Sequence, residues 1–578
     1  MTKKALLLLF ISSCFLQGAF AQKASEKYIH NKSNTWEEAI RFYTALDKEY
    51  NNASLLTYGI TDSGKPLNLF VIAGDSDFDP ASVKSKNKAI ILINNGIHPG
   101  EPDGIDASMK LAEELLANPA SKKLLEHVVV CIIPVFNIDG SLIRGCCSRA
   151  NQDGPEEYGF RGNYQNLDLN RDFIKCDAQN TVSFHQIFRE WDPDVFIDTH
   201  VSDGADYSYT MTLIATQHDK LEKVCGEYLQ KKFLPEIYRS MEQTKNAICP
   251  YVNTKTEIPD DGIIEFLETP RFASGYTALF NTFGFTTESH MLKPFKERVE
   301  ATYAIEKSIL EYTNAHSAEI LDARKNARKT CAEKKIFPLQ WVLDTSMYEM
   351  ISFKGYEAKY KTSAVTGKQR LYYDRKAPYE KKIRYYNKYN ESLSVEKPFS
   401  YIVPQCWRKV VDQLRVNRIN MQQLDRDTTL SCEVYYLEDY STTSYAYEGH
   451  HLHSNVKVKK EVQAIQFFKG DYVINTDQPG NRFIVETLEP QGVDSYFAWG
   501  FFDAILQEKE YFSSYVFEDM AESILKGDEA LRKDFEKMKK TDKAFAEDAE
   551  AQLYFIYKRS PYFEKSYKRY PIARQVTK

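Results

Sequence analysis

The sequence predicts an α/β protein: a mixed, mostly parallel central sheet flanked by helices, followed by a β-rich region that ends in helices. Three observations predict it. Between about residues 89 and 288, short apolar runs alternate with stretches of helical periodicity. Those runs are continuously apolar, as expected of strands covered on both faces. Beyond about residue 334 the texture shifts to β-former-rich segments with Gly and Pro turns, and then to a charged helical stretch.

The elements follow in order. Lys3 and Lys4 precede a largely apolar run over residues 5–16, and Ala19-Phe20-Ala21 supplies an A-x-A cleavage pattern. A basic, apolar, small-residue order of this length is a secretory signal peptide, too short to span a membrane. Its boundary is set at residues 1–21, and it implies a secreted or periplasmic protein. Cys14 could suggest a lipoprotein, but Ser12-Ser13 is a poor lead-in.

Residues 89–94 (Ala-Ile-Ile-Leu-Ile-Asn) read as a buried strand, and residues 106–116 as a helix. Residues 128–133 form a second strand, 177–191 a helix, 194–199 a third strand, and 284–288 a further strand end. Residues 296–329 read as one long amphipathic helix or two, closing a catalytic region set at 22–333. In the accessory region, 334–578, residues 472–475 and 482–486 are rich in β-formers, with turns at Gly470-Asp471 and Pro479-Gly480. Residues 519–552 carry a charged helical pattern, read as a solvated face. No internal repeat is evident.

A chain of 578 residues exceeds one ordinary core. Hydrophobic residues make up 43% and aromatics 13%, the composition of a folded protein. A net charge of -6 is too mild for nucleic-acid binding or electrostatic attachment to a membrane. No apolar stretch beyond the leader is long enough for a transmembrane segment, and the oligomeric state is not readable. Of the 10 cysteines, nine follow the leader, so at least one is unpaired within the chain. Cys146-Cys147, beside Cys131 and Cys176, makes a bridge in that region plausible. None forms a C-x-x-C zinc site.

The chemistry-bearing signal begins at Asn94-Asn95-Gly96-Ile97-His98-Pro99-Gly100-Glu101. It places His98 and Glu101 just past the carboxyl end of a buried strand, where open α/β sheets hold their ligands. An H-x-x-E turn can offer imidazole and carboxylate to one ion. Alone, it is as readily a polar surface turn. His200 ends another apolar strand, 102 residues after His98. A lone strand-end His is usually structural, but the pair favours a metal. His450-His451-x-His453 could also bind a metal, although a structural or loop role is the better reading.

Between the first two sites lies Asn166-Leu-Asp-Leu-Asn-Arg-Asp-Phe173. With it the chain resembles, over about residues 35–325, the carboxypeptidase A-like zinc peptidases. Their pattern is H-x-x-E, D-L-N-R-x-F, a third-ligand His and a late-strand Glu. The resemblance implies one zinc ion (Zn2+) held by His98, Glu101 and His200, with Asp168 orienting a ligand imidazole. It implies that Asn170 and Arg171 grip a substrate carboxylate, and that Glu288 deprotonates the attacking water and returns the proton to the leaving amine. Asn137-Ile-Asp-Gly140 and Arg149-Ala-Asn151 resemble the segment bearing an oxyanion-stabilising arginine. This points to Arg149, with Arg144 and Arg161 as rivals. Tyr276 is the nearest counterpart to the family's mobile substrate-binding tyrosine. Val201-Ser202-Asp203 after His200, and Asp172 where Asn is commoner, depart from the pattern and bear on the substrate.

The resemblance therefore implies an exported zinc metallocarboxypeptidase acting on a peptide or murein-peptide substrate. Alternatives are a murein-peptide amidase or an aspartoacylase-like deacylase with the same metal site. A non-catalytic binding protein on a peptidase scaffold ranks last, because every expected position is filled.

Overall fold

The computed structural model describes residues 26–576; the leader expected at 1–21 lies outside them. Eight strands form the central sheet. In chain order they are β1 (Ala53–Ile60), β2 (Pro66–Ala73), β3 (Ala89–Asn94), β4 (Val128–Ile133), β5 (Val195–Ser202), β6 (Met211–Ala215), β7 (Ile248–Pro250) and, after the two-residue β8 (Ile263–Ile264), β9 (Phe283–His290). The spatial order is β1-β2-β4-β3-β5-β9-β6-β7. The four middle strands, β4-β3-β5-β9, run parallel, and antiparallel pairs β1–β2, β2–β4 and β6–β9 flank them. The mixed, mostly parallel α/β sheet expected from the sequence is thus observed.

All six residues of β3 and of β4, and all eight of β5, are buried. Burial on both faces explains why these strands read as unbroken apolar runs. The helices Asp103–Ala117, Gln179–Trp191 and Phe295–Ala315 cover the sheet. Chain order reverses beside β3: the chain passes from β3 to β4 on one side and to β5 on the other. Such a reversal opens a crevice at the carboxyl ends of the strands. Gly104 lets the helix Asp103–Ala117 start against β5, because a Cβ there would collide with the Thr199 hydroxyl.

Beyond residue 333, β10 (Ile336–Leu343) pairs with β13 (Tyr389–Glu396). Between them, β11 (Glu349–Thr362) and β12 (Gln369–Tyr386) form a long hairpin whose base pairs with β8. A six-stranded sheet of order β15-β18-β14-β19-β16-β17 follows. It comprises β14 (Ser400–Val403), β15 (Gln422–Gln423), β16 (Thr428–Thr442), β17 (His453–Phe467), β18 (Tyr472–Asn475) and β19 (Ala573–Gln575). Residues 514–557 form four short helices around their own apolar cluster, including Phe517, Phe535 and Phe545. The main core does not stop at residue 333: Tyr276 and Phe280 share one buried cluster with Tyr401, Phe483 and Trp499.

One expectation changes and one left open is resolved. Residues 482–486 lie in the helix Asn481–Leu488, not a strand. Its β-branched run is buried, and Arg482 pairs with Glu486 one turn on at 2.5 Å, which a strand spacing would not allow. The stretch 296–329 is two helices, broken at His316. Cys146 and Cys147 are joined to each other, while Cys131 and Cys176 are buried thiols.

Candidate metal centre and active site

Parallel registry builds the site. His200 of β5 stands opposite Glu288 of β9, and Asn94 of β3 opposite Asp198 of β5. The turn after β3 then brings His98 and Glu101 over the same edge. His98, Glu101 and His200 are all buried and offer ligand atoms that lie within 4.8 Å of one another. They are the one such group of three or more among the described residues.

The electrostatics of this cluster suit a cation. His98 Nε2 lies 2.9 Å from Asp168 Oδ1, and His200 Nε2 lies 2.8 Å from Asp198 Oδ2. With the ring protons on Nε2, where the aspartates accept them, both Nδ1 lone pairs turn inward. The two Nδ1 atoms are 3.2 Å apart, and each is 3.3 Å from a Glu101 oxygen. Three electron-rich groups facing one point repel unless a cation lies between them. Burial alone would raise the Glu101 pKa, but Arg149 and the imidazoles outweigh it and hold the carboxyl well below its usual range. Burial likewise opposes charge on His200, yet Asp198, Glu101 and Glu288 raise its pKa well above the ordinary value. Carboxylates that would hold a proton there also favour a divalent ion in its place. The donor set therefore fits zinc.

Around the cluster lies a cleft of about 410 Å3, lined among others by Arg149, Arg161, Asn170, Arg171, Tyr251 and Glu288. Arg149 donates to Glu101 Oε1 at 2.7 Å and to the Val201 carbonyl at 3.1 Å. Arg161 donates to Asp168 Oδ2 from Nε and Nη2, at 3.0 and 2.9 Å. Asn170 accepts from the Ala273 amide at 3.0 Å, which leaves its NH2 free to donate. Arg171 lies against the Phe272 ring, 4.4 Å from its centroid, and is held by the Tyr447 hydroxyl at 3.0 Å. Burial, with Glu101 and Glu268 nearby, pushes the Glu288 pKa up to about 8 despite His200 and Arg149.

Some residues fall outside the cleft. Tyr276 is fully buried, its hydroxyl donating to Asn417 Oδ1 at 2.7 Å, so the structure does not bring it to the site. Its ring packs among Phe173, His185 and Phe280. Arg144 is bound to Ser33 and the Glu157 carbonyl instead. In the histidine cluster, His450 pairs with Asp177, His451 with the Thr443 carbonyl, and His453 with Thr442 and Asp503. These divergent partners give it structural roles.

Two residues escaped the sequence reading, and a third, Glu268, is marked by it only as the start of a specificity-setting pocket wall that runs to Tyr276. Asp198 could have been found: it sits two before His200, on the same face of its strand. Tyr251 and Glu268 come from loops and carry no spacing signal. Glu268 is 5% exposed; it lines the cleft near Thr286, and its Oε2 has no hydrogen-bond partner among the described residues.

Residues 40–269 match the family model described as zinc carboxypeptidase. The chain is 20% identical over 450 residues to "Carboxypeptidase 2" of Trichophyton rubrum, covering 72% of this chain and 74% of that one. The figures for "Carboxypeptidase 2" of Trichophyton equinum are the same. Among solved structures, a metallo-carboxypeptidase from Burkholderia cenocepacia is 17% identical with a TM-score of 0.35, covering 51% of this chain and 70% of that one. One from Pseudomonas aeruginosa, in complex with (2-guanidinoethylmercapto)succinic acid, is 14% identical with a TM-score of 0.38, covering 50% and 70%.

Proposed function

From the premise that this chain carries a domain of the zinc carboxypeptidase family and is a zinc metallocarboxypeptidase, we propose that it is exported and removes C-terminal residues from peptides, with Glu288 as general base. The observation that carries the reading is the convergence of the His98–Glu101–His200 cluster, Glu288 and the Asn170–Arg171 pair on one cleft. When bound, zinc supplies a Lewis acid that polarises the scissile carbonyl and makes water acidic enough to attack near neutral pH.

The chain's own groups do the rest. Arg171 and the free Asn170 amide hold the terminal carboxylate through charge-assisted hydrogen bonds, which fixes the last peptide bond over the cleft. Glu288 accepts a proton from the attacking water and hands it to the departing amine. A carboxyl with a raised pKa suits both halves of that transfer, and the positive charge of zinc would draw it below about 8. Arg149 lends positive charge to the developing oxyanion. Asp168 and Asp198 keep the ligand rings turned inward.

Glu268 sets the substrate's side chain. It stands at the cleft wall with a buried oxygen that has no hydrogen-bond partner among the described residues, and burial pushes its pKa up to about 7. A cationic side chain beside it would favour its charged form, so the preferred terminal residue is lysine or arginine. A murein-peptide substrate remains the second reading, on the strength of the expected leader alone.

The test is hydrolysis of a mixed peptide library, read by mass spectrometry, with Glu288→Gln alongside. Wild type should release C-terminal residues one at a time. The variant should lose roughly 10²- to 10⁴-fold in kcat while binding zinc as before. Internal cleavage, or an active variant, would defeat the reading.

A further inference from the structure

The β11–β12 hairpin, residues 349–386 with its turn, carries ten Lys and Arg against four Asp and Glu, a net charge of +6 in a chain whose net charge is -6. This is not a general property of long hairpins in this fold. The comparable β16–β17 hairpin, residues 428–467, carries three Lys against five Asp and Glu. Near its base, the β11–β12 hairpin buries Phe353, Gly355 and Ile383 against Tyr207, Cys249 and Ile263. Lys361, Lys368, Arg370, Lys376, Lys382 and Arg384 are exposed, and none is paired with a carboxylate among the described residues. Val365 at the tip is 94% exposed.

Two connections tie this basic arm to the catalytic cleft. One is the segment after β5. Ser202 and Asp203 line the cleft, and the same segment then bridges Tyr207 to Gly355, donates from Ser208 to the Lys354 carbonyl, and pairs Asp206 with Arg375 at 2.6 Å. The other is β8, which pairs with Tyr385 and Tyr386 of β12 and leads directly to Phe266 and Glu268 in the cleft wall. From Gly355 to the tip is about nine residues, or roughly 30 Å of strand. An extended peptide held by its C-terminus could lay a similar length of chain along it.

We propose that this hairpin is a docking arm for acidic peptide substrates: it engages Asp- and Glu-rich sequence upstream of the C-terminal residue being removed. The inference rests on the reading of the cleft as a peptidase site. Unpaired exposed cations gain little from one another, but together they raise the local concentration of a polyanionic chain and speed its capture, an effect that salt screens.

Two readouts separate the arm from the catalysis. The first is binding of a fluorescent twelve-residue peptide with an amidated C-terminus and six Asp or Glu residues, against a Gln-substituted twin. Wild type should bind the acidic peptide at least 10-fold more tightly at low salt. The triple variant Lys361→Glu, Lys368→Glu, Arg370→Glu, altered only at exposed positions near the tip, should lose that margin. The second is kcat/KM on the same peptides with free C-termini. The acidic peptide should lead by about 10-fold in wild type, less as salt rises, and not in the variant, while a short neutral peptide is cleaved equally by both. Equal binding of the twins, a margin that survives the triple substitution, or binding without gain in kcat/KM on cleaved peptides would each overturn the arm. Hairpin-dependent binding with no hydrolysis of any peptide would leave the arm standing and overturn the catalytic reading.

Discussion

At His200 the strand supplies both a candidate metal ligand and the group that aims it. Asp198 is fully buried, accepts from Asn94 at 2.8 Å and from the ring at 2.8 Å, and so fixes which nitrogen faces the centre. Asp198→Asn keeps the size but removes the charge. It should weaken zinc binding by roughly 10- to 100-fold, read by competition with a chromogenic chelator; unchanged affinity would mean that the ring is held by packing alone. Glu268 offers a second single-residue test. Glu268→Gln should lower kcat/KM for peptides ending in Lys or Arg by about 10-fold or more, a loss of ~1.4 kcal/mol or greater, with little change for those ending in Leu. Equal losses on both series would place Glu268 in the support of His200, not in side-chain selection. These residues also mark what could be read from sequence. His98, Glu101 and His200 were visible because each stands at the end of an apolar run. The contribution of Glu268 depends on a loop path and a missing partner, which no spacing encodes.

The helix that begins two residues after Glu101 carries a buried acid toward its neighbour. Asp106 accepts from the Asn34 amide at 2.6 Å, while Glu306, on the helix Phe295–Ala315, accepts from Ser108 at 2.9 Å. Burial raises Asp106 to about 7 against its bonds to Asn34, and raises Glu306 to about 8 against its bond to Ser108. Both carboxyls thus keep their protons in the fold at pH values where an unfolded chain has released them. The sign follows from linkage: stability from these groups is full below about pH 4 and is lost as pH rises toward 8. Glu306→Gln mimics the protonated form, so its melting temperature should gain on wild type as pH rises from 5 to 8. A constant offset across that range would exclude the effect. Among elements, the parallel strands were the most legible, because burial on both faces leaves an uninterrupted apolar signature. The hairpin β1–β2, the strand β6 and the edge strand β7 lie outside the strands read from sequence. The segment 482–486 shows β-formers overruled by tertiary packing.

Across the whole molecule, residues beyond 333 are built into the catalytic half. Glu448 Oε2 accepts from the Asp168 amide at 2.7 Å, Tyr447 holds Arg171, Asp494 pairs with Arg271 at 2.7 Å, and Asn417 holds Tyr276. Phe280 stacks on Phe483 within the shared core. A change of texture was legible near residue 334, but a shared core was not, since packing between distant segments leaves no periodic trace. Removing residues 334–578 would expose several large side chains, each worth about 1.5–3 kcal/mol of burial. Residues 22–333 expressed alone should therefore aggregate or fail to hold zinc, as gel filtration and metal analysis would show; a monomeric, active fragment would contradict the packing described here. Because Glu448 and Tyr447 brace the motif proposed to grip the substrate, activity should require the later half of the chain. On the proposed reading the enzyme should thus be its own safety catch during synthesis: a partly made copy would carry every proposed catalytic side chain and still be unable to trim its neighbours.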